Sequence, residues 1–118
     1  MIIVASSVSF VVPDVSASCR FFTAHLGFRE AAAGAGFVQL SRDDGVFDIE
    51  LCAGAGTAAG PLVSFTVPGL LGEYARLRAE PGLDPVLRYE PWGERSVRLT
   101  DPNGITVRLV EWVRPAGS

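Results

Sequence analysis

The sequence predicts an α+β fold made of two tandem βαβββ modules, and three observations carry that expectation. A seven-residue segment recurs, each copy is followed by apolar residues at helical spacing, and apolar and polar residues alternate with period two through most of the remaining chain. The repeat is Val8-Ser9-Phe10-Val11-Val12-Pro13-Asp14, which returns 55 residues later as Val63-Ser64-Phe65-Thr66-Val67-Pro68-Gly69 with five of seven positions identical. A strand running into a turn therefore opens each half.

After the first copy, Ser16 is placed to cap a helix carrying Phe21, Phe22 and Leu26, and Gly27 supplies the glycine that ends it. After the second, Leu70, Leu71, Tyr74 and Leu77 fall on one helical stripe, which Pro81-Gly82 stops. Alternation resumes over 36–41, turns at Arg42-Asp43-Asp44-Gly45 and continues over 46–52 into a Gly/Ala-rich stretch, 53–60. The second half offers strands over 85–89, 95–100 and 105–112, the last two joined by a turn at Asp101-Pro102-Asn103-Gly104. The expected organisation is a single domain over 1–118, with module one at about 6–53, a linker at 54–60 and module two at about 61–113.

Composition narrows the function classes. At 118 residues and 48% hydrophobic content, the chain suits one domain burying about two-thirds of its unfolded surface. The net charge is −3 and no basic block exists to follow a phosphate backbone, so nucleic acid is not an expected partner. All ten basic residues are Arg, which makes any anion recognition planar and bidentate. Residues 1–12 are apolar but lack the basic start and cleavage site of a signal sequence, and they read as a strand. No apolar run approaches the roughly 20 residues that span a bilayer, so a cytoplasmic protein with no membrane partner is expected. Cys19 and Cys52 show neither CxxC spacing nor a clustered His, and are expected as free, buried thiols.

Strand periodicity separates two faces. Val8, Phe10, Val12, Val38, Leu40, Phe47, Ile49, Leu51, Val63, Phe65, Val67, Val97, Leu99, Ile105, Val107 and Leu109 form the apolar set that packs on the helices. The complementary set is Ser7, Ser9, Phe37, Gln39, Asp48, Glu50, Cys52, Leu62, Ser64, Thr66, Ser96, Arg98, Thr106 and Arg108. It is either the solvated side of a plain antiparallel sheet or, given how few charges it carries, a surface that holds a ligand.

Two βαβββ halves, the segments Val11-Val12-Pro13-Asp14, Phe21-Phe22 and Leu26-Gly27-Phe28, and the late Asp101-Pro102-Asn103-Gly104 resemble the vicinal-oxygen-chelate (glyoxalase/bleomycin resistance/dioxygenase) superfamily. The likeness implies a curved mixed sheet with helices on its convex face and, in the metal enzymes, one ligand on each of four strands. Those positions fall here on Ser7, Glu50, Leu62 and Arg108, where metal members have His or Glu. One donor of four survives and Arg108 would repel a cation, so no metal or other cofactor is expected, and the metal-dependent chemistries of the superfamily lose their footing. His25, the only histidine, lies late in the first helix and cannot replace the missing ligands.

Pro91-Trp92-Gly93-Glu94-Arg95 and Phe37, nine residues after Phe28, are similar to features of the bleomycin-resistance branch. In that branch two such aromatics sandwich planar parts of a drug across a dimer groove. Trp92 is thus either a stacking plate or a plug at the sheet's end, and Phe37 either a second plate or cover for its hairpin. Trp112 points to the side of Arg108 and lines the groove or a dimer edge. Glu50 and Arg108 are expected to pair; the alternative leaves Glu50 a general base, with Asp48 and Arg98 orienting a carbonyl substrate.

The leading expectation is metal-independent sequestration of a bulky, partly aromatic small molecule, of the bleomycin or enediyne type, by Phe37, Trp92, Ser7, Ser9, Gln39, Asp48, Glu50, Leu62, Ser64, Arg98, Arg108 and Trp112. The resemblance also implies a homodimer whose cups are shared between subunits.

Overall fold

A computed structural model describes residues 1–55 and 61–113. Its elements run β1 (Ser7–Val12), α1 (Val15–His25), β2 (Arg29–Gly34), β3 (Phe37–Ser41), β4 (Asp48–Ala53), β5 (Leu62–Thr66), α2 (Leu70–Arg78), β6 (Val86–Tyr89), β7 (Glu94–Thr100) and β8 (Thr106–Trp112). Both halves are βαβββ, as the repeat predicts. The strands hydrogen-bond as two sheets of four, β1-β4-β3-β2 and β5-β8-β7-β6, so the duplication extends to strand order. In each sheet the first strand lies parallel to the last, and the other neighbours are antiparallel.

The chain divides into two compact units, 1–60 with 102–104 and 61–101 with 105–118. Of the expected linker, residues 56–60 lie outside the described residues. Among the described residues, no helix is long and apolar enough to cross a membrane.

In the first unit, strand β1 buries Phe10 and Val12 and exposes Ser7, Ser9 and Val11. Only the second half of the apolar opening run is strand; residues 1–6 are exposed and carry no regular structure. Asp14 rather than Ser16 caps α1: Asp14 has an extended backbone, and its Oδ1 accepts the Ala17 N–H at 3.1 Å. At the other end the N–H groups of Leu26 and Phe28 both return to the Phe22 carbonyl, at 3.2 and 3.3 Å, while Gly27 turns the chain with φ +72°. Arg42 closes that end by donating from Nη1 to the Leu26 carbonyl and lying 5.7 Å over the Phe28 ring.

Strand β2 is the element the alternation does not announce. It is exposed along its whole length and exists through its antiparallel pairing with β3, irregular between Glu30 and Ala32. Helix α1 packs on β2, β3 and β4. Phe22, Leu40, Ile49 and Leu51 are fully buried, with Phe21 and Phe28 meeting Phe22 edge-on at 5.6 Å. Phe47, expected inside, is only half-buried and precedes β4.

In the second unit α2 packs on β7 and β8, burying Leu70 and Leu77. Leu71 is exposed and Tyr74 half-buried, so the stripe is narrower than its spacing suggests. The N–H of Gly69, in left-handed conformation at the start of α2, donates to Glu111 Oε2 at 2.8 Å. Glu111 Oε1 accepts from Arg95 at 3.0 Å, so one carboxylate fastens the helix start to β7 and β8.

The turn between β7 and β8 has two tasks. The Asp101 N–H donates to the Ile105 carbonyl at 2.9 Å and its Oδ1 accepts the Ile105 N–H at 2.8 Å, with Gly104 at φ +90°. Residues 102–104 group with the first unit through Asn103. Its Oδ1 accepts the Asp14 N–H at 3.2 Å, and its Nδ2 donates to the Asp14 carbonyl at 2.6 Å and to the buried Ser18 hydroxyl at 2.7 Å.

Candidate functional site

On the first sheet, register puts Ser7 beside Asp48, Ser9 beside Glu50 and Val11 beside Cys52, with Gln39 and Phe37 opposite Glu50 and Cys52 on β3. All the first-module candidates therefore share one face. It grades from polar to apolar along the strands. At the polar end Asp48 accepts on one oxygen from Gln39 Nε2 at 2.8 Å and on the other from the Ser41 hydroxyl at 2.9 Å, so it is held in place and has a structural task. At the other end the Phe37 ring, 37% exposed, lies across Gly34, where a side chain would collide with it. Val11 is also exposed on this face and extends its apolar end; the alternation pattern had passed over it.

Between these ends the Cys52 thiol donates to Glu50 Oε1 at 3.3 Å. That bond, then burial and the negative charge of Glu50, push the thiol above its ordinary pKa, so Cys52 is a poor thiolate nucleophile. Both cysteines are free and half-buried, less enclosed than expected. In a Cys19→Ser background, Glu50→Gln should lower the Cys52 pKa and speed its alkylation by iodoacetamide at pH 8. An unchanged pH profile of alkylation would mean that the Glu50 contact does not govern the thiol.

On the second sheet, Leu62, Ser64, Arg98, Arg108 and Trp112 share one face, with Arg98 directly opposite Arg108 and Glu94 opposite Trp112. The organising residue is Glu94, which enters the sequence reading only as a member of the Pro91-Trp92-Gly93-Glu94-Arg95 segment. It is 7% exposed; Oε1 accepts from Arg108 Nη1 at 2.8 Å, and Oε2 faces the Trp92 indole N–H at 3.5 Å. Arg108, expected to pair with Glu50, thus takes its carboxylate from its own sheet, and its Nε also donates to Ser64 at 3.3 Å. Trp92 is 62% exposed and Trp112 59%, and they flank the Glu94–Arg108 pair. Gly93 sets Trp92 in place: its φ is +97°, its carbonyl accepts the Val113 N–H at 2.8 Å, and a Cβ there would stand 2.6 Å from the Val113 oxygen.

The family profile of the glyoxalase/bleomycin resistance protein/dioxygenase superfamily matches residues 5–109. The chain belongs to this superfamily. No curated protein matches it in sequence. Similar solved structures include a glyoxalase/bleomycin resistance protein/dioxygenase from Nocardioides, 20% identical, with TM-score 0.76 over 100% of this chain and 87% of that one. Lactoylglutathione lyase from Agrobacterium tumefaciens is 17% identical, with TM-score 0.77 over 90% and 91% of the two chains. The oxidase ChaP-H2 is 22% identical, with TM-score 0.72 over 100% and 98%. These likenesses establish the fold.

The glyoxalase-superfamily metal does not fit the residues present. Of the four positions, Leu62 has no donor atom, Arg108 is a cation already engaged with Glu94, Ser7 offers a hydroxyl, and Glu50 alone supplies a carboxylate. Among the described residues, no three His, Cys, Asp or Glu side chains gather to replace them. His25 instead packs edge-on to Phe21 at 5.4 Å.

Proposed function

We propose that this superfamily member binds and sequesters a bulky, partly aromatic small molecule without a metal, in the manner of the bleomycin-resistance branch. The observation that carries the reading is the pair of exposed tryptophans flanking buried Glu94 and its half-buried partner Arg108 on β7 and β8. An exposed indole fixed by a glycine turn stacks on a planar ligand at low entropic cost, and opposed aromatic faces add about 0.5–1.5 kcal/mol beyond the area they bury. The unfit donor set on the metal-ligand strands supports binding over metal-assisted turnover. Bleomycin-type and enediyne antibiotics are the proposed ligand class, and a homodimer the proposed assembly, both through the superfamily resemblance.

The test is intrinsic tryptophan fluorescence of chelator-treated protein, titrated with bleomycin-type and enediyne compounds. Saturable quenching is expected, weakened at least about tenfold in Trp92→Ala, equivalent to about 1.4 kcal/mol. Glu50→Gln should leave it intact. Quenching that is absent, or indifferent to Trp92, would remove the reading.

A further inference from the structure

We infer that the same face of the second module holds a carboxylate-recognition subsite centred on Arg98, which favours aromatic ligands that carry a carboxylate over neutral ones. The inference rests on the reading that this face receives the ligand, and adds a group that strengthens its binding. Arg98 stands directly across the β7–β8 ladder from Arg108, and like charges at directly opposed positions repel. Arg108 is neutralised by Glu94 at 2.8 Å. The Arg98 side chain has no ion pair or hydrogen bond among the described residues, and the residue is exposed. An anion docking there would supply the missing countercharge.

The surroundings fit a carboxylate on an apolar body. A cavity of about 460 Å³ is lined by Arg98 together with Thr100 and Thr106, two residues that pair across the same ladder. Leu83, from the connection after α2, and Val86, opposite Arg98 on β6, give it apolar walls. Arg88 also lines it, its charge shared with Glu90 at 3.6 Å. The planar guanidinium fork matches a carboxylate with two parallel hydrogen bonds, and threonine hydroxyls can donate to either oxygen. Asp84 also lines the cavity and disfavours a second negative charge, which points to a monoanion.

The probes are 1-naphthoate and its neutral counterpart 1-naphthylmethanol, titrated calorimetrically into wild type, Arg98→Gln, Arg98→Lys and Trp92→Ala. Wild type should bind the naphthoate about tenfold or more tightly than the alcohol, the size of a charged hydrogen-bonded contact. That advantage should vanish in Arg98→Gln, survive partly in Arg98→Lys, which keeps the charge and loses the fork, and persist in Trp92→Ala while both affinities fall. An advantage that is missing in wild type or intact in Arg98→Gln overturns the subsite and leaves the aromatic reading standing. An advantage that tracks Arg98 while Trp92→Ala changes nothing upholds the subsite and overturns the aromatic reading. Failure of both compounds to bind wild type overturns both. Arg98→Gln should also raise the thermal midpoint of the free protein by relieving the repulsion with Arg108; a fall would make Arg98 a structural residue and overturn the proposal.

Discussion

Replacing Phe22 by alanine is expected to lower the unfolding free energy by about 3–5 kcal/mol, the usual cost of emptying a buried aromatic position. Phe22 is wholly inaccessible, and the edges of Phe21 and Phe28 converge on it at 5.6 Å. Its carbonyl is also the point to which the N–H groups of Leu26 and Phe28 return, so the cavity would open beneath the turn that ends α1. Urea denaturation followed by circular dichroism measures the change. Both tryptophans, Trp92 and Trp112, lie in the second module, so fluorescence reports that half alone. A dichroism transition that shifts ahead of the fluorescence transition would show the first module melting separately; a joint shift would show one cooperative unit. A loss below about 1 kcal/mol would mean the helix is not anchored at Phe22.

Gly93→Ala carries the second large effect, on stability and on binding together. The residue would have to hold a left-handed backbone while its new Cβ met a main-chain oxygen, that of Val113, at 2.6 Å. Backbone cannot swing aside as a flexible side chain would, so the end of β8 must withdraw and give up the bond from Val113 N–H to the Gly93 carbonyl. Strain and the lost bond together amount to about 2–4 kcal/mol. Trp92, one residue earlier, would lose its fixed setting beside Glu94, so the affinity for aromatic ligands should fall even where the variant stays folded. Calorimetric melting and the fluorescence titration read the two effects. A Gly93→Ala protein with wild-type melting and wild-type affinity would show that the loop adapts freely.

The sequence was most informative where local pattern and tertiary placement coincide. The recurring Val-Ser-Phe segment marks β1 and β5, and the alternation that follows it places Ile49, Leu51, Val97 and Val107 inside. Strand β2 escaped because Arg29-Glu30-Ala31-Ala32-Ala33-Gly34 faces solvent on both sides and has no period to detect; only pairing with β3 makes it a strand. The α1 cap was misplaced by two residues because aspartate and serine serve that role equally well, and backbone conformation decides between them. Glu94 was missed for a different reason. Carboxylates are rarely buried unless paired, and its partner lies 14 residues away on the neighbouring strand. Once Glu94 is seen to hold Arg108, that cation has a carboxylate on its own sheet, and the first module keeps a carboxylate whose visible contact is a thiol.

Asn103 has a consequence for how the chain matures at the ribosome. Helix α1 is synthesised early, yet three of the hydrogen bonds that settle its beginning wait for a residue made 89 positions after Asp14. At about 5–20 residues per second, that interval is roughly 4–18 seconds of elongation. Throughout it the main chain of Asp14 and the hydroxyl of Ser18 lack that amide, and α1 is left to its own cap and to the strands already made. The first module can therefore begin to fold as it emerges, but it reaches its final form only once Asn103 has been made and can reach Asp14 and Ser18.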